Sequence, residues 1–73
     1  MNKVILYYKF VPVPDPAMTV RWQKELCKRL GLKGRIIVSK HGINGTLGGD
    51  IENLREYKRD MNHSVIFKGI MYK

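Results

Sequence analysis

The sequence has few of the residues from which covalent or metal-based sites are built. Cys27 is the only cysteine, so no internal disulfide can form. With His41 and His63 it supplies too few ligands for a closed zinc site, and no metal is expected. A lone thiol is typical of a reducing compartment, so we expect a cytoplasmic protein. No apolar run reaches the ~20 residues that cross a bilayer, and no membrane partner is expected.

Acidic residues are also scarce. Six Asp and Glu stand against 14 Lys and Arg, which gives the 73-residue chain a net charge of +8. A chain of this length forms one domain, and so dense a positive field favours contact with polyanions such as nucleic acids. Plain solubility and binding of acidic ligands are the alternatives that the composition leaves open.

Recognisable catalytic motifs are missing. No glycine is followed by Lys-Ser or Lys-Thr, as in a Walker loop, and G-x-G-x-x-G does not occur. His41 has Ser39 two residues before it, but no acid follows to complete a triad. We therefore expect no catalytic residue and no cofactor in this domain.

The first half of the chain predicts a strand and then a helix. Residues 4–11 are rich in β-branched and aromatic residues, as in strands, and prolines end the run. Asp15-Pro16 is typical of a helix start, and Gly31 of a helix end. Because Lys9 lies on the other face of the strand, we expect the core to receive Val4, Leu6, Tyr8 and Phe10 from the strand and Met18, Trp22, Leu26 and Leu30 from the helix.

The second half predicts a hairpin, a helix and a last strand. A strand over 35–40 leads into a glycine-rich segment, 42–49, with a hairpin tip at 41–43 preferred over one at 44–45. Asp50 opens a second helix, whose buried stripe is expected to contain Ile51, Leu54, Tyr57 and Met61. A final strand is expected over 65–72.

The resulting order, β-α-β-β-α-β, predicts an α+β, ferredoxin-like (split βαβ) two-layer sandwich. Its four-stranded antiparallel sheet would carry two helices on one face. The other face is open, and we expect it to dock a neighbouring domain or to contact RNA, unless the strand faces are shifted by one residue. The expected members of that face are Ile5, Tyr7, Lys9, Ile66, Lys68, Ile70 and Tyr72.

Three segments carry a family resemblance. They are Asn2–Phe10 (NKVILYYKF), Leu30–Ile36 (LGLKGRI) and His41–Gly49 (HGINGTLGG). Through them the chain resembles the N-terminal domain of the bacterial rhodanese-related tRNA uridine hydroxylases. The resemblance implies an acylphosphatase-like, ferredoxin-type domain, here residues 1–73, as an accessory fragment of a longer chain. The catalytic rhodanese domain, with the family's reactive cysteine, would lie outside it, so Cys27 is not that cysteine.

The family implies a parent enzyme that hydroxylates the wobble uridine of tRNA at carbon 5, in a prephenate-dependent pathway. This domain would help to bind tRNA or orient the rhodanese domain; a purely structural docking module is the alternative. Acylphosphatase activity is not expected, because residues 11–15 (VPVPD) replace the glycine-rich, arginine-containing phosphate loop of acylphosphatases. If RNA binds, we expect phosphate contacts from Lys9, Arg35, Lys40 and His41, with Asn44 shaping the loop.

Overall fold

The computed structural model describes all 73 residues, and it contains three strands and two helices. Both helices pack on the same face of the sheet, which makes a two-layer α+β domain. Neither helix has the length and apolar composition needed to cross a membrane. In chain order the elements are β1 (Asn2–Phe10), α1 (Pro16–Arg29), β2 (Lys33–Ser39), β3 (Gly42–Asp50) and α2 (Ile51–Asn62).

Local chemistry sets the ends of the helices. The Asp15 carboxylate accepts a hydrogen bond from the Met18 amide at 3.0 Å, and Pro16 occupies the first turn of α1. After α1 the chain turns at Gly31, whose φ of 65° favours glycine. The Asp50 carboxylate caps α2 by accepting from the Glu52 amide at 3.1 Å. The predicted helix starts are therefore confirmed.

The sheet is antiparallel, in the order β1-β3-β2, so β3 is the central strand. Strand β3 pairs with β1 along one edge and with β2 along the other. The turn between β2 and β3 is formed by Lys40 and His41, close to the preferred tip at 41–43. Because β1 and β2 flank β3 and are joined through α1, the topology is the predicted split βαβ.

The predicted fourth strand over 65–72 is wrong, because residues 65–69 form turns and residues 70–72 belong to no strand. The Ser64 hydroxyl accepts hydrogen bonds from the amides of Ile66 and Phe67, both at 3.2 Å, and Gly69 has a φ of 82°. These local bonds compete with extended structure. Only Lys73 forms backbone-to-backbone hydrogen bonds with the sheet, two of them with Leu6 at the free edge of β1.

The predicted faces of β1 are reversed in the structure. Ile5 and Tyr7 are buried against the helices, whereas the expected core residues Val4, Leu6, Tyr8 and Phe10 are exposed. Lys9 does not prevent burial of its face, because its ammonium group donates to the carbonyl of Lys68 while its stem stays half-buried. The predicted membership of the open face is therefore wrong, and the alternative of a one-residue shift of the faces holds for β1. Ile70 is also buried, and Ile66 and Tyr72 pack against the core.

The predicted buried stripe of α1 is confirmed at Leu26 and Leu30, but toward the start of the helix it is rotated. Thr19 and Gln23 are buried, Met18 is 58% exposed, and Trp22 is half-buried and stacked on Phe67. The polar side chain of Gln23 is tolerated because it is hydrogen-bonded to Tyr57 and Met61. In α2 the predicted Leu54, Tyr57 and Met61 are buried and Ile51 is half-buried.

Candidate nucleic-acid interface

The face of the sheet away from the helices is open. In an antiparallel sheet, directly paired residues point to the same side, so the register defines rows across this face. Their outer members are exposed, whereas their β3 members are glycines or small polar residues. The rows are Val4-Gly48-Lys33, Leu6-Thr46-Arg35, Tyr8-Asn44-Ile37 and Phe10-Gly42-Ser39.

These rows make a groove along β3, which we call the sheet groove. Its apolar wall is β1 and its opposite wall is β2; the small residues of β3 form the floor. The two walls stand about 10 Å apart, since neighbouring strands are about 4.8 Å apart. The hairpin turn at Lys40 and His41 lies at one end, beside Phe10. A groove of this width accommodates an extended chain.

All charged residues in the rows of the sheet groove are cationic. Lys33 and Arg35 are exposed on the β2 wall, and neither takes part in an ion pair. The acidic residues lie instead on the helices or cap them. Three salt bridges, Arg29–Asp60, Arg55–Glu52 and Arg59–Glu56, neutralise charge on that side.

Asp50 is the last residue of β3, and its carboxylate is hydrogen-bonded at the start of α2. Hydrogen bonds from the Glu52 amide and then from the amino terminus lower its pKa below the ordinary value. The carboxylate therefore stays anionic and engaged at the helix cap, beyond the last row of the sheet groove.

Two aromatic rings stand on the apolar wall. Tyr8 is 58% exposed and Phe10 is 85% exposed, and their rings meet edge to face with centroids 5.5 Å apart. The ammonium of Lys73 lies 5.7 Å from the centroid of the Tyr8 ring, within reach of a cation–π contact. The remaining aromatic residues are buried or half-buried.

The five residues predicted as RNA contacts are only partly brought together. Arg35 and Asn44 lie in adjacent rows of the sheet groove, and Lys40 and His41 form the turn at its end. Asn44 is in the central strand and therefore does not shape a loop. Lys9 lies apart from the others, on the helix side of the sheet, where its ammonium is bonded to a carbonyl.

Sequence reasoning missed Lys33, Tyr8 and Phe10 as members of the open face. A signal for β2 was present, since Ile36 and Val38 alternate with Arg35 and Lys33 is in phase with Arg35. No comparable signal existed for β1, because both of its faces are rich in apolar side chains.

The segment after β1, residues 11–15, offers few hydrogen-bond donors to an anion. The amide of Val11 donates to the carbonyl of His41 at 3.0 Å, and the amide of Val13 donates to that of Lys40 at 2.9 Å. Pro12 and Pro14 have no amide hydrogen. Of the five residues that replace the phosphate loop, four therefore offer no free amide, and only the amide of Asp15 remains, next to its own carboxylate.

Apart from the sheet groove, a mostly apolar cavity lies between α1 and β2. Leu32, Ile36 and Val38 line it, as does the half-buried thiol of Cys27. Burial raises the pKa of this thiol, which makes it a weaker nucleophile at neutral pH. No cluster of three or more His, Cys, Asp or Glu side chains with metal-binding geometry occurs.

Comparison with known proteins identifies the relatives of this chain. Residues 2–73 match the family described as the UPF0176 acylphosphatase-like domain. The tRNA uridine(34) hydroxylase of Corynebacterium diphtheriae is 49% identical over 72 residues, covering 99% of this chain and 23% of the relative. That of Corynebacterium aurimucosum is 47% identical over 73 residues, covering 100% and 24%. That of Pseudarthrobacter chlorophenolicus is 45% identical over 73 residues, covering 100% and 25%.

The chain spans about a quarter of the length of these curated relatives. The acylphosphatase-like fold inferred from the resemblance is confirmed, with three strands in place of four. The match extends over nearly the whole chain, so the chain belongs to the UPF0176 acylphosphatase-like domain family, whose relatives here are named tRNA uridine(34) hydroxylases.

Proposed function

We propose that this is a non-catalytic accessory domain of a cytoplasmic tRNA-modifying enzyme that hydroxylates the wobble uridine, and that it helps to hold the tRNA. The names of the relatives support the reaction, and the share of their length that this chain covers supports an accessory role. In this proposal the rhodanese domain of the same polypeptide is the catalytic partner.

One observation carries the tRNA-binding part of the proposal: cations line the sheet groove while the carboxylates lie on the helices and their caps. Lys33 and Arg35 project from β2 without ion-pair partners, and Lys40, beside His41, extends the positive surface at the hairpin turn. Phosphate contacts of this kind supply much of the affinity of proteins for nucleic acids and make it dependent on salt.

The test is the affinity of the 73-residue chain for tRNA as a function of salt concentration. Charge reversal of Lys33 and Arg35 together should weaken binding to all tRNAs alike. It should also reduce the slope of log K against log salt by about one for each phosphate that is no longer neutralised. The matched control reverses Lys24 and Lys28 on the exposed side of α1, which changes the net charge equally.

Equal effects of the two double variants would show that binding reflects net charge and not the sheet groove. Absence of tRNA binding at low salt would contradict the proposal as a whole.

A docking module is the second candidate function, and the exposed apolar wall of β1 favours it. This wall is a contiguous exposed apolar surface of the kind that marks interfaces, and it consists of Val4, Leu6, Tyr8 and Phe10. Hydroxyl-radical footprinting of Tyr8 and Phe10 in a full-length enzyme separates the two functions. Docking predicts that both rings are protected without RNA, whereas tRNA binding predicts protection only after tRNA is added.

A further inference from the structure

We infer that the sheet groove binds unpaired nucleotides by stacking their bases on Tyr8 and Phe10. This inference rests on the proposed function and specifies which part of the RNA the open face binds. It concerns single-stranded segments, such as loops, and not helical stems.

The first support is the position of the two rings. They are neighbours on the same wall, in residues that are 58% and 85% exposed, and besides their own edge-to-face contact only the Lys73 ammonium lies at a ring, that of Tyr8. Ile37 stands across the groove from Tyr8 and is 51% exposed, which widens the apolar platform. Base–aromatic stacking requires a free π-face on both partners, and a base inside a duplex has none to offer.

The second support is the floor of the groove. Gly42 and Gly48 have no side chain, and Asn44 and Thr46 carry short polar groups between the walls. An extended strand of nucleotides can therefore lie low along β3, with bases against the apolar wall and phosphates toward Lys33 and Arg35. The amide and hydroxyl groups of the floor are suited to hydrogen bonding with base edges or ribose hydroxyls.

The third support is electrostatic complementarity, which distinguishes RNA from a protein occupant. The apolar wall is bordered by cations, including the Lys73 ammonium at the Tyr8 ring, and no acidic residue occurs in the four rows. A polyanion with aromatic bases matches both properties of the groove. A protein partner would need an apolar face surrounded by acids.

The experiment compares a short single-stranded RNA with a duplex of the same sequence, using the 73-residue chain and its variants. We expect the wild-type chain to prefer the single strand. Tyr8→Ala and Phe10→Ala should each weaken single-strand binding by about five- to a hundred-fold. Their salt slopes should remain unchanged, because the cations that meet the phosphates are all retained. Tyr8→Phe should retain the affinity, since the ring is kept.

The control is Val65→Ala, which removes a similarly exposed apolar side chain from the turns after α2. Urea unfolding of every variant checks that the fold is intact. A photo-crosslink from 4-thiouridine RNA gives an independent readout, because trypsin cleavage after Lys9 places Tyr8 and Phe10 on separate peptides.

The outcomes separate this inference from the proposed function. If the ring variants bind like wild type while reversal of Lys33 and Arg35 weakens binding, the stacking inference is overturned and tRNA binding stands. If no RNA binds at all, both are overturned. If Tyr8→Ala and Phe10→Ala instead abolish self-association of the chain or its contact with the remainder of a full-length enzyme, the face is a protein interface and the inference is wrong.

Discussion

The hydroxyl groups of Tyr7 in β1 and Tyr57 in α2 are hydrogen-bonded to each other in the interior of the domain. Tyr57 is fully buried, and its hydroxyl also donates to Oε1 of Gln23 at 2.7 Å. A tyrosine hydroxyl has one proton, so Tyr57 accepts from Tyr7. The Gln23 amide in turn donates to the sulfur of Met61 at 3.3 Å. This chain of bonds links β1, α2 and α1, and it fixes the position of the helices above the sheet.

Removal of the central hydroxyl should be costly. Tyr57→Phe leaves both the Tyr7 O–H and the Gln23 carbonyl without a partner in a buried site. The free energy of unfolding, measured with urea, should fall by about 1–3 kcal/mol.

Tyr72→Phe is the matched control, because the Tyr72 hydroxyl is buried without any partner. Its removal should leave stability within about 0.5 kcal/mol of wild type or increase it. Equal losses in the two variants would contradict the hydrogen-bonding account.

Alkaline pH should destabilise the domain through the same tyrosines. Burial raises the pKa of Tyr7 from 10.0 to about 12, and burial also raises the pKa values of Tyr57 and Tyr72. The folded state then holds protons that the unfolded chain releases, so this stability is complete below pH 10 and falls as the pH rises toward the folded pKa.

Urea midpoints at about pH 9 and about pH 11.5 test this dependence. The decrease should be smaller in Tyr7→Phe, which lacks one of the titrating groups. A midpoint that is independent of pH over this range would contradict the prediction.

Gly34 is a steric requirement of β2. Its φ is +146°, and a Cβ there would lie 1.9 Å from the backbone carbonyl oxygen of Thr46 in the neighbouring strand. Gly34→Ala should therefore lower the free energy of unfolding by about 2–4 kcal/mol, from strain and overlap together.

Gly31→Ala separates the cost of backbone strain from the cost of steric overlap with a neighbouring strand. Gly31 has a φ of +65°, but a Cβ there meets nothing within 4 Å, so only the backbone term of about 1 kcal/mol is expected. Urea unfolding of the two variants gives the difference. A loss at position 31 as large as that at position 34 would rule out the overlap with Thr46 as the cause.

The elements that local chemistry determines could be predicted from the sequence. The caps at Asp15 and Asp50, the turn near His41 and the stripe of α2 depend on residues close together in the chain. The faces of β1 could not be predicted, because both are apolar and the single lysine, Lys9, does not mark a solvent-exposed face. Its long stem tolerates burial once the ammonium finds a carbonyl.

The candidate site was predictable only in part for the same reason. Arg35 alternates with Ile36 and Val38 in β2, although Ile37 interrupts the pattern. Placing Tyr8 and Phe10 requires the register of β1 with β3, which is a non-local property. The missing fourth strand has a local origin: Ser64 caps a series of turns that apolar composition alone does not reveal.

The last prediction concerns acyl phosphate hydrolysis, which the name of the family suggests. The amides of Val11 and Val13 are bonded to the hairpin turn, Pro12 and Pro14 have none, and the Asp15 carboxylate stands at the start of α1. Among residues 11–15 only the amide of Asp15 is left as a donor, and it lies beside that residue's own carboxylate, so the 73-residue chain should hydrolyse benzoyl phosphate no faster than buffer. The measurement is release of inorganic phosphate over a range of substrate concentrations, with Asp15→Asn as a second sample to remove the repulsion. Saturable hydrolysis by the wild-type chain would show that another surface binds acyl phosphates, and hydrolysis by Asp15→Asn alone would identify the carboxylate as the only obstacle.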